Sequence, residues 1–98
     1  MPDASKYFAI RKMNVPTGVW TPVPPVPYQC SRIVVENNSS TNDMQFRTDP
    51  DDDTTNKPIP IGQELDIAGH DNCFAGGVVV GYVYVAAGNG PVILSFTR

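Results

Sequence analysis

Three aspartates at alternate positions, Asp49, Asp51 and Asp53, are the side chains of this sequence whose type and spacing first suggest chemistry. Carboxylates spaced in this way in a loop can converge on a hard cation such as calcium. The rest of a calcium loop is missing, because Thr54 and Pro60 stand where the sixth-position glycine and twelfth-position glutamate belong, and Pro50 lies inside. Calcium is therefore a candidate on three residues only. The stretch DPDDDTTNKP, residues 49–58, has no large apolar side chain to bury, so it is expected as an exposed acidic loop that discourages strand addition or meets a basic patch on a partner.

The second candidate centre is AGHDN, where His70, the only histidine, stands beside Asp71 and three residues before Cys73. A cysteine nucleophile needs its thiolate held near a base by the fold, and neighbours in a glycine-flanked turn carry no sign of that geometry. A zinc site needs more ligands than one histidine and one cysteine. His70, Asp71 and Asn72 read instead as turn residues bonding nearby backbone. Cys30 and Cys73 have no CxxC partner and read as small buried hydrophobes, with a disulfide between them left open. No catalytic residue, cofactor or enzymatic activity is expected.

The third is aromatic. Tyr82 and Tyr84 fall on one face of a strand, where they could stack on a sugar or a base, although core packing is the commoner fate of such a pair. From Val15 to Pro27 the chain reads VPTGVWTPVPPVP, in which Pro16, Pro22, Pro24, Pro25 and Pro27 force an extended backbone. That segment reads as an edge or polyproline strap anchored by Trp20 and Tyr28. Together with Tyr7 and Phe8 of the N-terminal arm, the residues Trp20, Pro22, Pro24, Pro25 and Tyr28 are the expected partner-binding set.

The elements that position these groups are short strands. The chain has 98 residues, with 12 valines and 6 isoleucines against 2 leucines, and branching at Cβ suits a pleated strand. The 8 glycines and 10 prolines demand many turns and leave no room for the helical crossovers of α/β enzymes. CSRIVVEN (30–37) reads as a strand with Ile33 and Val35 on one side, returning as a hairpin through NNSSTND into MQFRT. IPIGQELDI (59–67) turns at Ile61-Gly62-Gln63 into a strand with Leu65 and Ile67 inward. VVVGYVYVAA (78–87) is apolar on both faces and reads as a central strand buried from both sides, followed by a GNGP turn and VILSFT as its hairpin partner. Six or seven short strands in one domain predict an all-β sandwich or jelly roll, with residues 1–29 as arm and Pro-rich strap and 30–98 as the core.

A formal charge of −3 gives no reason to expect nucleic acid or an anionic membrane as partner. No run approaches the apolar length of a membrane helix, and the start lacks the pattern of a secretory leader, so a cytoplasmic origin is expected.

The order WTPVP, CSRIVVENNSS, MQFRTD, PIPIGQELDI and AAGNGPVILSF, over residues 19–97, is similar to a class of small bacteriophage virion proteins. The resemblance implies a β-sandwich that decorates or cements a capsid by binding between shell subunits, or that serves as a head-tail, tail or fibre adaptor. It implies the major capsid protein or other virion proteins as partners, a homo-oligomer such as a trimer, and a place on the virion surface after assembly in the host cytoplasm. A carbohydrate-binding module is the reading of a different class.

Overall fold

A computed structural model describes residues 8–68 and 74–98. Tyr7, His70, Asp71 and Cys73 lie outside the described residues. The strands, in chain order, are β1 (Phe8–Val15), β2 (Thr21–Pro22), β3 (Arg32–Asn37), β4 (Met44–Arg47), β5 (Lys57–Ile59), β6 (Glu64–Ala68), β7 (Tyr82–Val85) and β8 (Gly90–Thr97). They form two four-stranded antiparallel sheets, ordered β1-β8-β3-β6 and β2-β7-β4-β5. The all-β sandwich is thus what the β-branched composition encodes.

The pairings are nested: β1 with β8, β2 with β7, β3 with β6, and β4 with β5. The chain is in effect one long hairpin, with the acidic loop at its tip, wrapped so that successive rungs alternate between two sheets. Wrapping adds the β3–β8 and β4–β7 pairs that close each sheet. This is the eight-stranded double Greek key, or jelly roll.

Strand alternation fills the space between the sheets. Ile33, Val35, Val92, Leu94 and Phe96 from the first sheet meet Met44, Phe46, Ile59, Val83 and Val85 from the second, all at most 3% exposed. Each belongs to a period-2 run, so the alternation expected for β3, β4 and β8 holds. On β6, Leu65 and Ile67 are half-buried against the core while Glu64 and Asp66 face solvent, also as expected. The turn ahead of β6 closes with the Gln63 amide donating to the Pro60 carbonyl at 2.9 Å. Gly62 there has φ 71°, the left-handed position a turn of this kind gives to glycine.

Neither expected hairpin exists. β3 and β4 lie in different sheets, as do β7 and β8. The first connection is a corner built on buried Asn37, whose Nδ2 donates to the Asn42 carbonyl at 2.8 Å and to the Ile59 carbonyl at 2.9 Å. Its Oδ1 accepts from the Ser39 amide at 2.9 Å, and the Ser39 hydroxyl accepts from the amides of Thr41 and Asn42. Side-chain bonds to backbone turn the chain out of one sheet and into the other, where a hairpin would have turned it back.

The segment 78–87 is likewise not buried on both faces. Only Tyr82–Val85 is strand, Val78 and Val79 are exposed, and the two tyrosines face outward. β7 is nevertheless interior to its sheet, between β2 and β4.

Residues 8–29 are joined to the rest of the sandwich. β1 is paired along its whole length with β8, and the proline strap is sewn to residues 74–83 of its own chain. In the run Pro22-Val-Pro-Pro-Val-Pro27 the only amides belong to Val23 and Val26. They donate to the carbonyls of Gly81 at 3.0 Å and Val78 at 2.9 Å, and both valine side chains are 1% exposed. Two valines thus supply every donor and the buried anchors, while Pro22, Pro25 and Pro27, which have no N–H, take exposed positions.

Two exposed carboxylates tie stability to pH. The Arg32 guanidinium grips Asp66 with two hydrogen bonds, 2.9 and 2.6 Å, which hold its carboxyl below the ordinary carboxylate value. The Thr54 hydroxyl and amide do the same for Asp52. Because these folded-state values are depressed, the stabilisation is present above the unfolded value of about 3.9 and is lost as pH falls through the lower folded values. The expected outcome is that an Asp52→Asn, Asp66→Asn double variant loses less melting temperature than the parent between about pH 5 and pH 2.5. Calorimetry across that range checks it.

Candidate functional sites

The three alternate aspartates do not converge. Asp49 turns its Oδ1 onto the Asp51 amide at 3.0 Å, and Asp52, the residue between the expected ligands, caps a single 3-10 turn (Asp53–Thr55) by accepting from Thr54. Among the described residues no three His, Cys, Asp or Glu side chains are grouped to hold a metal ion. The loop is held from outside its own sequence. Arg47, at the end of β4, donates to the Pro50 carbonyl at 3.1 Å and to Asn56 Oδ1 at 3.2 Å.

Arg47 also joins the loop to the aromatic cluster. The outward register of the second sheet sets Trp20 and Pro22, beside and within β2, next to Tyr84 and Tyr82 of β7, and these next to Gln45 and Arg47 of β4. Trp20 stacks on Tyr84 with centroids 5.0 Å apart and planes inclined by 27°, and the Arg47 guanidinium lies 4.3 Å from the centre of the indole. Tyr82 and Tyr84 therefore serve an outer face, contrary to the expectation of core packing. Their alternation with Val83 and Val85 was visible in sequence, but it cannot say which set faces in.

The remaining described members of the expected partner-binding set are dispersed. Phe8 lies on the outer face of the first sheet, 47% exposed, across the sandwich from Trp20 and Pro22. Pro24 is half-buried and Pro25 exposed in the strap. Tyr28 packs against the core, donates to the Phe96 carbonyl at 3.3 Å, and has Arg98 5.8 Å from its ring centre. Burial pushes its phenol above the ordinary tyrosine value, with Cys30 adding to the shift and Arg98 and Arg11 opposing it. Tyr28 is thus a structural anchor, and the set divides between two opposite faces.

The chain matches no protein-family model, no curated protein and no solved structure.

Sequence reasoning named Phe8 but missed the surface around it on the first sheet. Its outer face carries Phe8, Ile10 and Lys12 on β1, with Ile93 on β8 and Val34 on β3 half-buried beside them. Ile10 is 53% exposed. β1 is also a sheet edge, and the four edges of the sandwich are not alike. β2 and β5 are short and contain Pro22 and Pro58, and β6 carries Glu64 and Asp66, all devices that blunt strand addition. β1 has eight residues, no proline, and only Arg11 and Lys12 as charges. The signal was there in FAIRKMNV, whose Phe8, Ile10 and Lys12 share one face by simple alternation.

A cavity of about 480 Å³ opens between the sheets on the opposite side, where Leu65 and Ile67 of β6 face Phe46, Phe74 and Val80. Its walls are extensions of the core.

Proposed function

We propose that this protein is a non-enzymatic structural component of a virus particle that decorates or cements a phage capsid by binding, as a homo-oligomer, between shell subunits. The observation that carries this reading is the β1 side of the first sheet, a long edge without proline bordering the exposed side chains of Phe8 and Ile10. Exposed apolar groups beside an unblunted edge are a common form of protein-binding surface. The jelly roll supports the reading only as analogy, since viral capsid domains and lectins both use it. Arg11 and Lys12 define the partner's chemistry: apolar opposite Phe8 and Ile10, acidic along the facing strand or loop.

The test is a Phe8→Asp, Ile10→Asp double variant mixed with capsids assembled without this chain. Both side chains face solvent, so the fold is expected to persist while addition to the particle is lost. Retention of full binding by the variant would remove the β1 surface from the account.

A further inference from the structure

A second site lies on the opposite sheet, independent of the capsid reading. Continuing the ladder of the second sheet by one outward rung sets Ala86 beside Asp43 and Asp43 beside Pro60, next to the rung Tyr84, Gln45, Pro58. These six residues, with Met44 between Asp43 and Gln45, line a groove of about 280 Å³. Its shape follows from residue size. Ala86 is small where Tyr84 is large, so a hollow opens at the end of the aromatic row, with the tyrosine as one wall, two proline rings as the other, and a carboxylate and a carboxamide as the floor.

The walls stand two strand spacings apart, roughly 9.5 Å between backbones, which leaves room for one flat ring standing on edge. The tyrosine wall is braced from behind by Trp20, itself covered by Arg47. The floor is braced too, since Asp43 Oδ1 accepts from the Ile61 amide at 3.0 Å and so holds its carboxylate in one orientation. A volume at the small end of ligand pockets limits the occupant to a single ring at a time.

We infer that this groove binds a pyranose sugar, its apolar C–H face against Tyr84 and its hydroxyls bonded to Asp43 and Gln45. A purely hydrocarbon ring or a proline would offer nothing to Asp43 Oδ2 and the Gln45 amide, whereas a polyhydroxylated ring can bond both and still presents an apolar face. The carboxylate disfavours an anionic ligand, which restricts the sugar to a neutral one. Affinity for one ring is on the order of millimolar.

The test is a titration of the full chain with cellotriose and, separately, tri-N-acetylchitotriose, followed by chemical shifts of the Gln45 side-chain amide and the Tyr84 ring. Emission from Trp20, the only tryptophan, gives a second readout. Saturable shifts confined to the groove with either sugar are expected. Ala86→Leu, which fills the hollow without touching the Tyr84–Trp20 stack, should abolish them at an unchanged melting temperature, and Tyr84→Ala should weaken binding by at least about tenfold. No response to either sugar at tens of millimolar, shifts that survive Ala86→Leu, or groove binding by a hexaproline peptide in their place would overturn the inference. None of these results bears on capsid addition, which involves the other face.

Discussion

Asn37→Ala is expected to destabilise the protein by about 3 kcal/mol, enough to lower the melting temperature of a domain this size by roughly 15 °C. The side chain is 1% exposed and makes three hydrogen bonds, to the carbonyls of Asn42 and Ile59 and from the amide of Ser39. Asn37 belongs to the first sheet and Ile59 to the second, so one carboxamide ties the two sheets together at the corner where the chain changes layer. Truncation removes all three bonds and leaves each former partner to be resatisfied in a site where water has little access. Asn37→Asp separates bonding from volume. It keeps the acceptor for Ser39 but turns a carboxylate oxygen toward two carbonyls, so it should cost at least as much as alanine at neutral pH. Thermal and urea unfolding of both variants check this. A loss below about 1 kcal/mol for Asn37→Ala would mean that the corner is held by other contacts.

Gly81→Ala is the second large effect, expected to cost about 1–3 kcal/mol through overpacking. A Cβ there would meet the ring of Phe46 in a hard clash and lie 2.7 Å from the Arg47 carbonyl oxygen. The ring is in the core and the carbonyl is in β4, so neither can move without disturbing its neighbours. The Gly81 carbonyl also accepts from Val23, which ties the strap to this point. Displacement of β4 at Arg47 should reach the guanidinium over Trp20 and its bonds to Pro50 and Asn56. The variant is therefore expected to combine a lower melting temperature with altered tryptophan emission. A melting temperature unchanged from the parent would mean that Phe46 swings away at no cost.

The two missing hairpins have one physical origin. A polar segment between two alternating strands looks the same whether it reverses the chain within a sheet or carries it across to another. The sequence NNSSTND therefore suggested a hairpin when it is a corner. What distinguishes them is the burial of Asn37, and that depends on the Ile59 carbonyl, 22 residues away. Which strand belongs to which face was legible wherever polar and apolar residues alternated, as in β3, β4, β6 and β8. It failed at Tyr82–Val85, where tyrosines and valines alternate and both are fit for a core. The strap misled for a related reason. Prolines mark missing donors, but the two valines between them determined where the segment lies.

The candidate surfaces were half legible. Phe8, Trp20 and Pro22 were visible as residues with something to offer a partner, yet only the folded chain places Phe8 on one sheet and the other two on the opposite one. The groove beside Tyr84 could not be read at all, because Ala86, Asp43 and Pro60 become neighbours only through the β7–β4–β5 register.

The most direct measurement of the central claim is sedimentation of capsids assembled without this chain, after mixing with the purified protein, together with calorimetry of the pelleted particles. Decoration through the β1 face predicts that the chain pellets with the capsids at a fixed ratio to shell subunits and raises their melting temperature, and that the Phe8→Asp, Ile10→Asp variant does neither. A wild-type chain that stays in the supernatant and leaves the melting temperature of the capsids unchanged would contradict it.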